Sequence, residues 1–204
     1  MVDALTLLAF VPAALALNLT PGADMMFCLG QGLRSGPRAA LAASAGISAG
    51  ALVHVTLAGL GLGALVAALP WALDLIRWLG VAYLLWLAVQ TLRQAGKPRD
   101  TTPGMGGWRA FNTGFIVNLT NPKVILFVLA FLPQFVVPDA GLVLAQFLTF
   151  GAVLALGGFV INGAVGVFAA GIGRRLAGGG RVLGWISSGI FVALAARLAM
   201  MERT

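Results

Sequence analysis

The stretch ALNLTPGAD, residues 16–24, interrupts the first apolar run of the chain with a Pro-Gly pair and a carboxylate. A second stretch, IVNLTNPKV at residues 116–124, repeats the Asn-Leu-Thr word and again follows it with a proline. Proline lacks the N–H donor that a helix interior needs, so each stretch predicts a helix break. The repeated word at a matching place in two apolar runs predicts two equivalent interrupted helices.

The composition is that of a membrane protein. Of the 204 residues, 60% are hydrophobic and only 9% are charged, whereas a soluble domain carries about 25% charged residues. A single cysteine, Cys28, excludes an intrachain disulfide, and a single histidine, His54, disfavours a dedicated metal site. Basic patches with interleaved aromatic residues are absent, so we expect no nucleic-acid partner. The sequence implies no cofactor.

Apolar runs long enough to cross a bilayer recur six times. They cover about 4–33, 38–69, 71–92, 110–137, 142–172 and 182–201. The predicted fold is an all-α integral membrane protein with one transporter domain, 1–204, in two halves at about 1–96 and 104–204. Because each half has three spans, the second half must be inverted, which makes a 3+3 inverted repeat with helices 1 and 4 interrupted at mid-membrane. Such repeats are typical of transporters, with the binding site near the bilayer midplane. The alternative is a chance recurrence of one short polar word.

Basic residues fall in alternate loops of this six-span arrangement, including a long polar loop at about 93–109 that joins the halves. The positive-inside bias places these loops in the cytoplasm and both termini in the periplasm of a bacterial inner membrane. The basic loop residues are Arg34, Arg38, Arg93, Lys97, Arg99, Arg109, Arg174, Arg175 and Arg181.

Each break also predicts a helix restart. Thr20 can cap a helix that begins at Pro21, and Asn121 can cap one that begins at Pro122. The restarted helices would present positive dipole ends in the middle of the membrane, where an anionic group is stabilised. The predicted substrate-binding residues are Asn18, Thr20, Pro21, Gly22, Asp24, Asn118, Thr120, Asn121, Pro122 and Lys123.

Two charges, Asp24 and Lys123, lie deep within predicted spans. Each costs about 2.5–3.5 kcal/mol to insert, so neither is expected to face lipid. One interpretation is a zwitterion site, with Asp24 for an ammonium group and Lys123 for a carboxylate. The other is a structural ion pair that holds spans 1 and 4 together. Asp24 is also the candidate proton carrier.

His54 lies in the middle of span 2. Since histidine titrates near neutral pH, it is a second candidate for proton coupling. The alternative is a hydrogen bond that serves helix packing. Asn162 in span 5 is open to the same two interpretations. Glycine-rich helix faces favour close helix packing within one chain or in a homodimer.

Three segments resemble the signatures of the LysE/RhtB amino-acid exporter family. They are NLTPGAD with GLRSGPRAALAASAGISAGALVH (18–24 and 32–54), LGVAYLLWLAVQTLR (79–93) and GFIVNLTNPKVILFVLAFLPQFV (114–136). The resemblance implies a bacterial inner-membrane exporter of amino acids or their derivatives, driven by the proton gradient. The family's Pro-Gly-Pro motif reads Pro21-Gly22-Ala23 here, so its second proline is missing.

The expected partners are therefore an amino acid, a proton and membrane lipid. Other functions remain open from the residues alone. They are the export of a cation or metal ion, a membrane enzyme, and a membrane scaffold that transports nothing.

Overall fold

The computed structural model describes residues 2–68 and 105–172, with isolated helical positions at 75, 78, 81, 82, 85, 86, 89, 93, 192 and 196. Apart from those positions, the predicted spans at 71–92 and 182–201 lie outside the described residues. So do most of the polar loop at 93–109 and the basic residues at 174–181.

The first apolar run forms two helices, α1 (Ala4–Leu19) and α2 (Ala23–Ser35), which meet at an angle of 54°. Asp3 caps α1, because its carboxylate accepts hydrogen bonds from the backbone N–H and the hydroxyl of Thr6. These hydrogen bonds lower the pKa of Asp3. The break lies where the Pro-Gly pair predicted it.

The second interrupted run has the same form. It comprises α4 (Gly107–Leu119) and α5 (Pro122–Leu126), and α4 meets the helical segment Pro122–Phe135 at an angle of 51°. A π-helical turn, Phe127–Phe131, and a 3₁₀ turn, Leu132–Phe135, continue α5, and a second 3₁₀ turn, Pro138–Ala140, follows. The repeated Asn-Leu-Thr word therefore ends an interrupted helix in both places, as predicted.

Each interrupted pair is followed in the chain by a long helix, the first by α3 (Pro37–Ala68) and the second by α6 (Val143–Ile172). The two long helices are antiparallel, because Ser44 donates to the carbonyl of Phe159 while Ser48 donates to that of Ala155, each at 2.9 Å. Both helices are apolar and long enough to cross a bilayer, and each bent pair can count as one further span. Every element in the described ranges is helical, and the chain is a membrane protein.

Each bent pair packs against the long helix of the other half of the chain. Helix α2 lies so close to α6 that a side chain at Gly32 would overlap the carbonyl of Gly166. Helix α4 approaches α3 in the same way, with Gly46 against the carbonyl of Phe111. Glycine permits this backbone contact because it has no Cβ. The two breaks are thereby held against the α3–α6 pair.

An aromatic cluster fills the space between α1, the segment after the second break, and α6. Phe10 lies at its centre, 4.9 Å from the ring of Phe150 and 5.2 Å from that of Phe135. Phe127 and Phe131 complete the cluster, and all five rings are buried. This packing fixes the orientation of α1 relative to α5.

Candidate functional site

At the first break, the chain does not restart where the sequence predicted. Helix α2 begins at Ala23 with Gly22 as its N-cap residue, and no side chain caps it. Thr20 instead ends α1, and its buried hydroxyl donates to the carbonyl of Ala16 at 2.6 Å. The prediction that Thr20 caps a helix at Pro21 is therefore wrong. The Thr20 hydroxyl bonds back to the preceding turn of α1. Pro21 therefore lies in the short linker between α1 and α2.

At the second break, the predicted cap is present. Asn121 is the N-cap residue of α5, Pro122 occupies its first position, and the Asn121 side chain accepts from the backbone N–H of Lys123 at 3.0 Å. This arrangement satisfies a donor that the helix start would otherwise leave unpaired. It also fixes the backbone of Lys123 at the junction of the two broken helices.

Lys123 reaches from the second break to the first. Its Nζ donates to the carbonyl oxygens of Leu17 and Thr20, each at 3.0 Å. These carbonyls belong to the last turn of α1 and its C-cap residue, where backbone acceptors lack helical partners and the helix dipole is negative. A cation there satisfies both acceptors. A lysine ammonium has three N–H donors, so one remains for another partner.

Asp24 has a different partner. Its Oδ2 accepts from the side-chain amide of Asn118 at 3.0 Å, and the residue is only 6% exposed. In the described part of the chain, no ion pair joins Asp24 to Lys123. The two charged side chains therefore share one site but do not contact each other as an ion pair.

Asp24 and Lys123 line one cavity at the place where the two breaks meet α3 and α6. Its volume is about 20 Å³, enough for about one water molecule. The polar lining residues are Asn18, Asp24, Ser48, Asn118, Lys123 and Asn162; the others are Leu17, Ile47, Ala51, Val124, Leu154, Ala155 and Gly158. In the described ranges, no group of three or more His, Cys, Asp or Glu side chains could hold a metal ion.

Three of the residues that line the cavity each carry a buried side-chain oxygen without a hydrogen-bond partner. These oxygens are Oδ1 of Asp24, Oδ1 of Asn118 and Oδ1 of Asn162. An unpaired buried polar group costs about 1–3 kcal/mol. Unpartnered polar groups on several residues of one cavity are typical of a binding site, where a ligand supplies the missing partners.

Of the remaining predicted residues, one lines the cavity and the others lie outside its lining. The Asn18 amide lines the cavity and donates to the carbonyl of Leu154 at 3.1 Å. His54 Nε2 lies 3.2 Å from the carbonyl oxygen of Asn118, and since a carbonyl only accepts, the histidine nitrogen is the donor. The predicted residues outside the lining are Thr20, Pro21, Gly22, Thr120, Asn121 and Pro122, together with His54.

Sequence reasoning left Asn162 open and did not place Ser48 or Gly158 in the site. All three lie on the long helices, which carry no break or charge at these positions. The available signal was the polarity of Asn162 within a strongly apolar run. Assigning it to the cavity required knowledge of which face of α6 meets the breaks.

Comparison with known proteins decides the family. The sequence profile described as LysE type translocator matches residues 15–202. The chain belongs to this LysE type translocator family. Members of the family and the efflux proteins similar to this chain are transporters, so the translocator is not an enzyme.

Several relatives resemble the translocator over most of its length. A homoserine/homoserine lactone efflux protein of Salmonella typhimurium is 37% identical over 147 residues, 70% of each chain. A leucine efflux protein of Enterobacter sp. is 30% identical over 201 residues, 95% of this chain and 94% of that protein. An uncharacterized membrane protein of Vibrio cholerae is 38% identical over 64% of this chain and 65% of its own length. No solved structure matches the chain.

Proposed function

We propose that this translocator is a secondary exporter of amino acids across the bacterial inner membrane, coupled to protons and working by alternating access. The observation that carries the proposal is the cavity at the two breaks. It contains a carboxylate with one unpartnered oxygen and an ammonium group with one remaining N–H, and the two do not pair with each other.

This pair of charges complements a zwitterion. The ammonium group of an amino acid can donate to Asp24, and its carboxylate can accept from Lys123. Burying a net charge in a low-dielectric site is costly. The site and its cargo are each neutral overall, so binding avoids this cost. A metal ion would bring a net positive charge to a site that already contains a lysine ammonium.

The names of the relatives support the same cargo class. One full-length relative is named a leucine efflux protein, and another is named for homoserine and its lactone. Leucine and homoserine are both neutral amino acids, which agrees with the charge balance of the cavity.

The proposed transporter has six spans arranged as a 3+3 inverted repeat, with both termini in the periplasm. Two observations support this arrangement. The bent pairs have similar angles, 54° and 51°, at equivalent words in the sequence. The long helices α3 and α6 are antiparallel, as the second span of each half must be when the halves are inverted.

A cavity of about 20 Å³ is far smaller than an amino acid. Binding therefore requires the surrounding helices to separate. The breaks are the natural points for this motion, because the bent pairs can rock against α3 and α6 without losing their internal hydrogen bonds. Asp24 is the proposed proton carrier, and His54, which contacts the backbone of Asn118, is the proposed relay.

Proteoliposomes provide the test. Vesicles containing the purified protein are loaded with individual labelled amino acids and placed in an acidic external buffer. We expect the efflux of at least one amino acid to accelerate with the proton gradient and to slow when a protonophore collapses it. A panel of amino acids that shows no efflux, in vesicles where a known exporter works, would refute the proposal.

A further inference from the structure

We infer that Asp24, Asn118 and Asn162 form a three-oxygen subsite for the α-ammonium group of a neutral amino acid, with Asn162 as its third member. The inference rests on the proposed export of amino acids and specifies which amino acids the site accepts. It starts from three buried, unpartnered oxygens on residues that line the cavity.

All three side chains are at least nine-tenths buried, with exposed fractions of 6% for Asp24, 1% for Asn118 and 3% for Asn162. The orientation of the Asn118 amide is fixed, because its nitrogen donates to Asp24 and its oxygen must therefore point elsewhere. Three acceptors match the three N–H donors of a primary ammonium group, which has no acceptor of its own.

The elements that carry these oxygens explain why the subsite needs both halves of the chain. Asp24 lies in the first turn of α2, Asn118 in the last turn of α4, and Asn162 on α6. The side-chain amide of Asn18 lies beside Gly158, one turn before Asn162 on α6. Movement of either bent pair relative to α6 would therefore change the distances between the three oxygens and release the ammonium group.

The rest of the lining defines the class of side chain. Its remaining wall is mainly aliphatic, with Leu17, Ile47, Val124 and Leu154. The only charged lining residues in the described ranges are Asp24 and Lys123. The amino-acid zwitterion uses both charges, so nothing compensates an additional cation on the cargo side chain. The subsite therefore accepts aliphatic or small polar amino acids and disfavours lysine and arginine.

The test uses leucine and N-methylleucine, which keeps the charge but loses one N–H donor. Half-saturating concentrations for efflux are measured in wild-type protein and in Asn162→Ala. In the wild type, we expect the half-saturating concentration of N-methylleucine to be about 10-fold higher than that of leucine. Asn162→Ala should raise the half-saturating concentration of leucine by a similar factor. In Asn162→Ala, which has already lost one acceptor, N-methylation should matter less than about 3-fold. The matched control is Asn112→Ala, since Asn112 is an exposed asparagine of α4.

A second variant keeps the inference testable if alanine disturbs folding. Asn162→Asp adds a negative charge to the cavity while preserving the shape of the side chain. We expect it to raise the export of lysine relative to leucine at least ~10-fold.

Equal penalties for N-methylation in wild type and Asn162→Ala, or wild-type export of lysine in preference to leucine, would overturn the inference while leaving amino-acid export intact. Binding that requires sodium and ignores N-methylation would overturn it as well. A failure of all amino acids to leave the vesicles would instead refute the proposed function.

Discussion

The two carboxylate oxygens of Asp24 differ: one accepts a hydrogen bond from Asn118, and the other has no hydrogen-bond partner. Changing Asp24 to asparagine keeps the size and one acceptor but removes the titrating group. We expect Asp24→Asn to lower gradient-driven efflux at least ~10-fold and to bring the ratio of efflux with and without the proton gradient close to one. The measurement is efflux from proteoliposomes at matched and unmatched pH.

The matched control is Asp139→Asn, because Asp139 is an exposed carboxylate in the turn before α6. That variant should respond to the gradient as the wild type does. Gradient-driven efflux that survives in Asp24→Asn would exclude Asp24 as the proton carrier and direct attention to His54.

The sequence predicted Asp24 and Lys123 as the central charged residues because a charge within an apolar run is costly unless it faces a partner or a polar cavity. It could not decide between a zwitterion site and an ion pair. That choice depends on where Lys123 Nζ points, and the α1 carbonyls that hold it are backbone atoms. Side-chain identity carries no information about such contacts, so only the folded structure revealed them.

At the scale of elements, the two breaks have different local chemistry. Asn121 caps α5 through its side chain, while no side chain caps α2. We expect Asn121→Ala to cost about 1 kcal/mol of stability, which corresponds to roughly 2–4 °C in Tm for a chain of this size. Asn121→Ser keeps an acceptor at the cap and should recover most of the loss. Thermal unfolding in detergent distinguishes the two variants; equal Tm values for alanine and serine would contradict the capping role.

Close packing of α2 on α6 is the second feature at this scale. A Cβ at residue 32 would overlap the carbonyl of Gly166, so we expect Gly32→Ala to destabilise the fold by about 1–3 kcal/mol. The control is Gly61→Ala on α3, where no atom lies within 4 Å of the added methyl group. Thermal unfolding of the two variants is the measurement. Similar stability for both would mean that these helices do not meet at Gly32.

The positions of the breaks were predictable because proline and the repeated Asn-Leu-Thr word are local signals. The restart point of α2 was not. Thr20 has two possible partners, the N–H groups ahead and the carbonyl behind, and both are local. The bond to Ala16 is present, and α2 begins at Ala23. Likewise, the role of Asn162 depends on the rotation of α6 about its axis, which the nearly uniform apolarity of that helix does not specify.

For the whole molecule, the proposed topology places the turn after α2 in the cytoplasm and the turn before α6 in the periplasm. The chain has one cysteine, Cys28, and it is buried, so a cysteine-free background is a single substitution, Cys28→Ser. Arg38→Cys and Asp139→Cys then place exposed thiols at the start of α3, next to the first turn, and in the second turn. We expect a membrane-impermeant thiol reagent to label only Asp139→Cys in intact spheroplasts and both variants after permeabilisation. Labelling of Arg38→Cys alone in intact spheroplasts would reverse the topology.

The central claim is that cargo binds between the two broken helices, where Lys123 connects one break to the other. The most direct measurement is leucine efflux from proteoliposomes containing wild type, Lys123→Met or Arg109→Met, the last replacing an exposed cation of α4. We predict that Lys123→Met lowers efflux at least ~10-fold, because both the α1 carbonyls and the cargo carboxylate lose their donor, while Arg109→Met stays close to the wild type. Wild-type efflux from a correctly folded Lys123→Met protein would contradict the account.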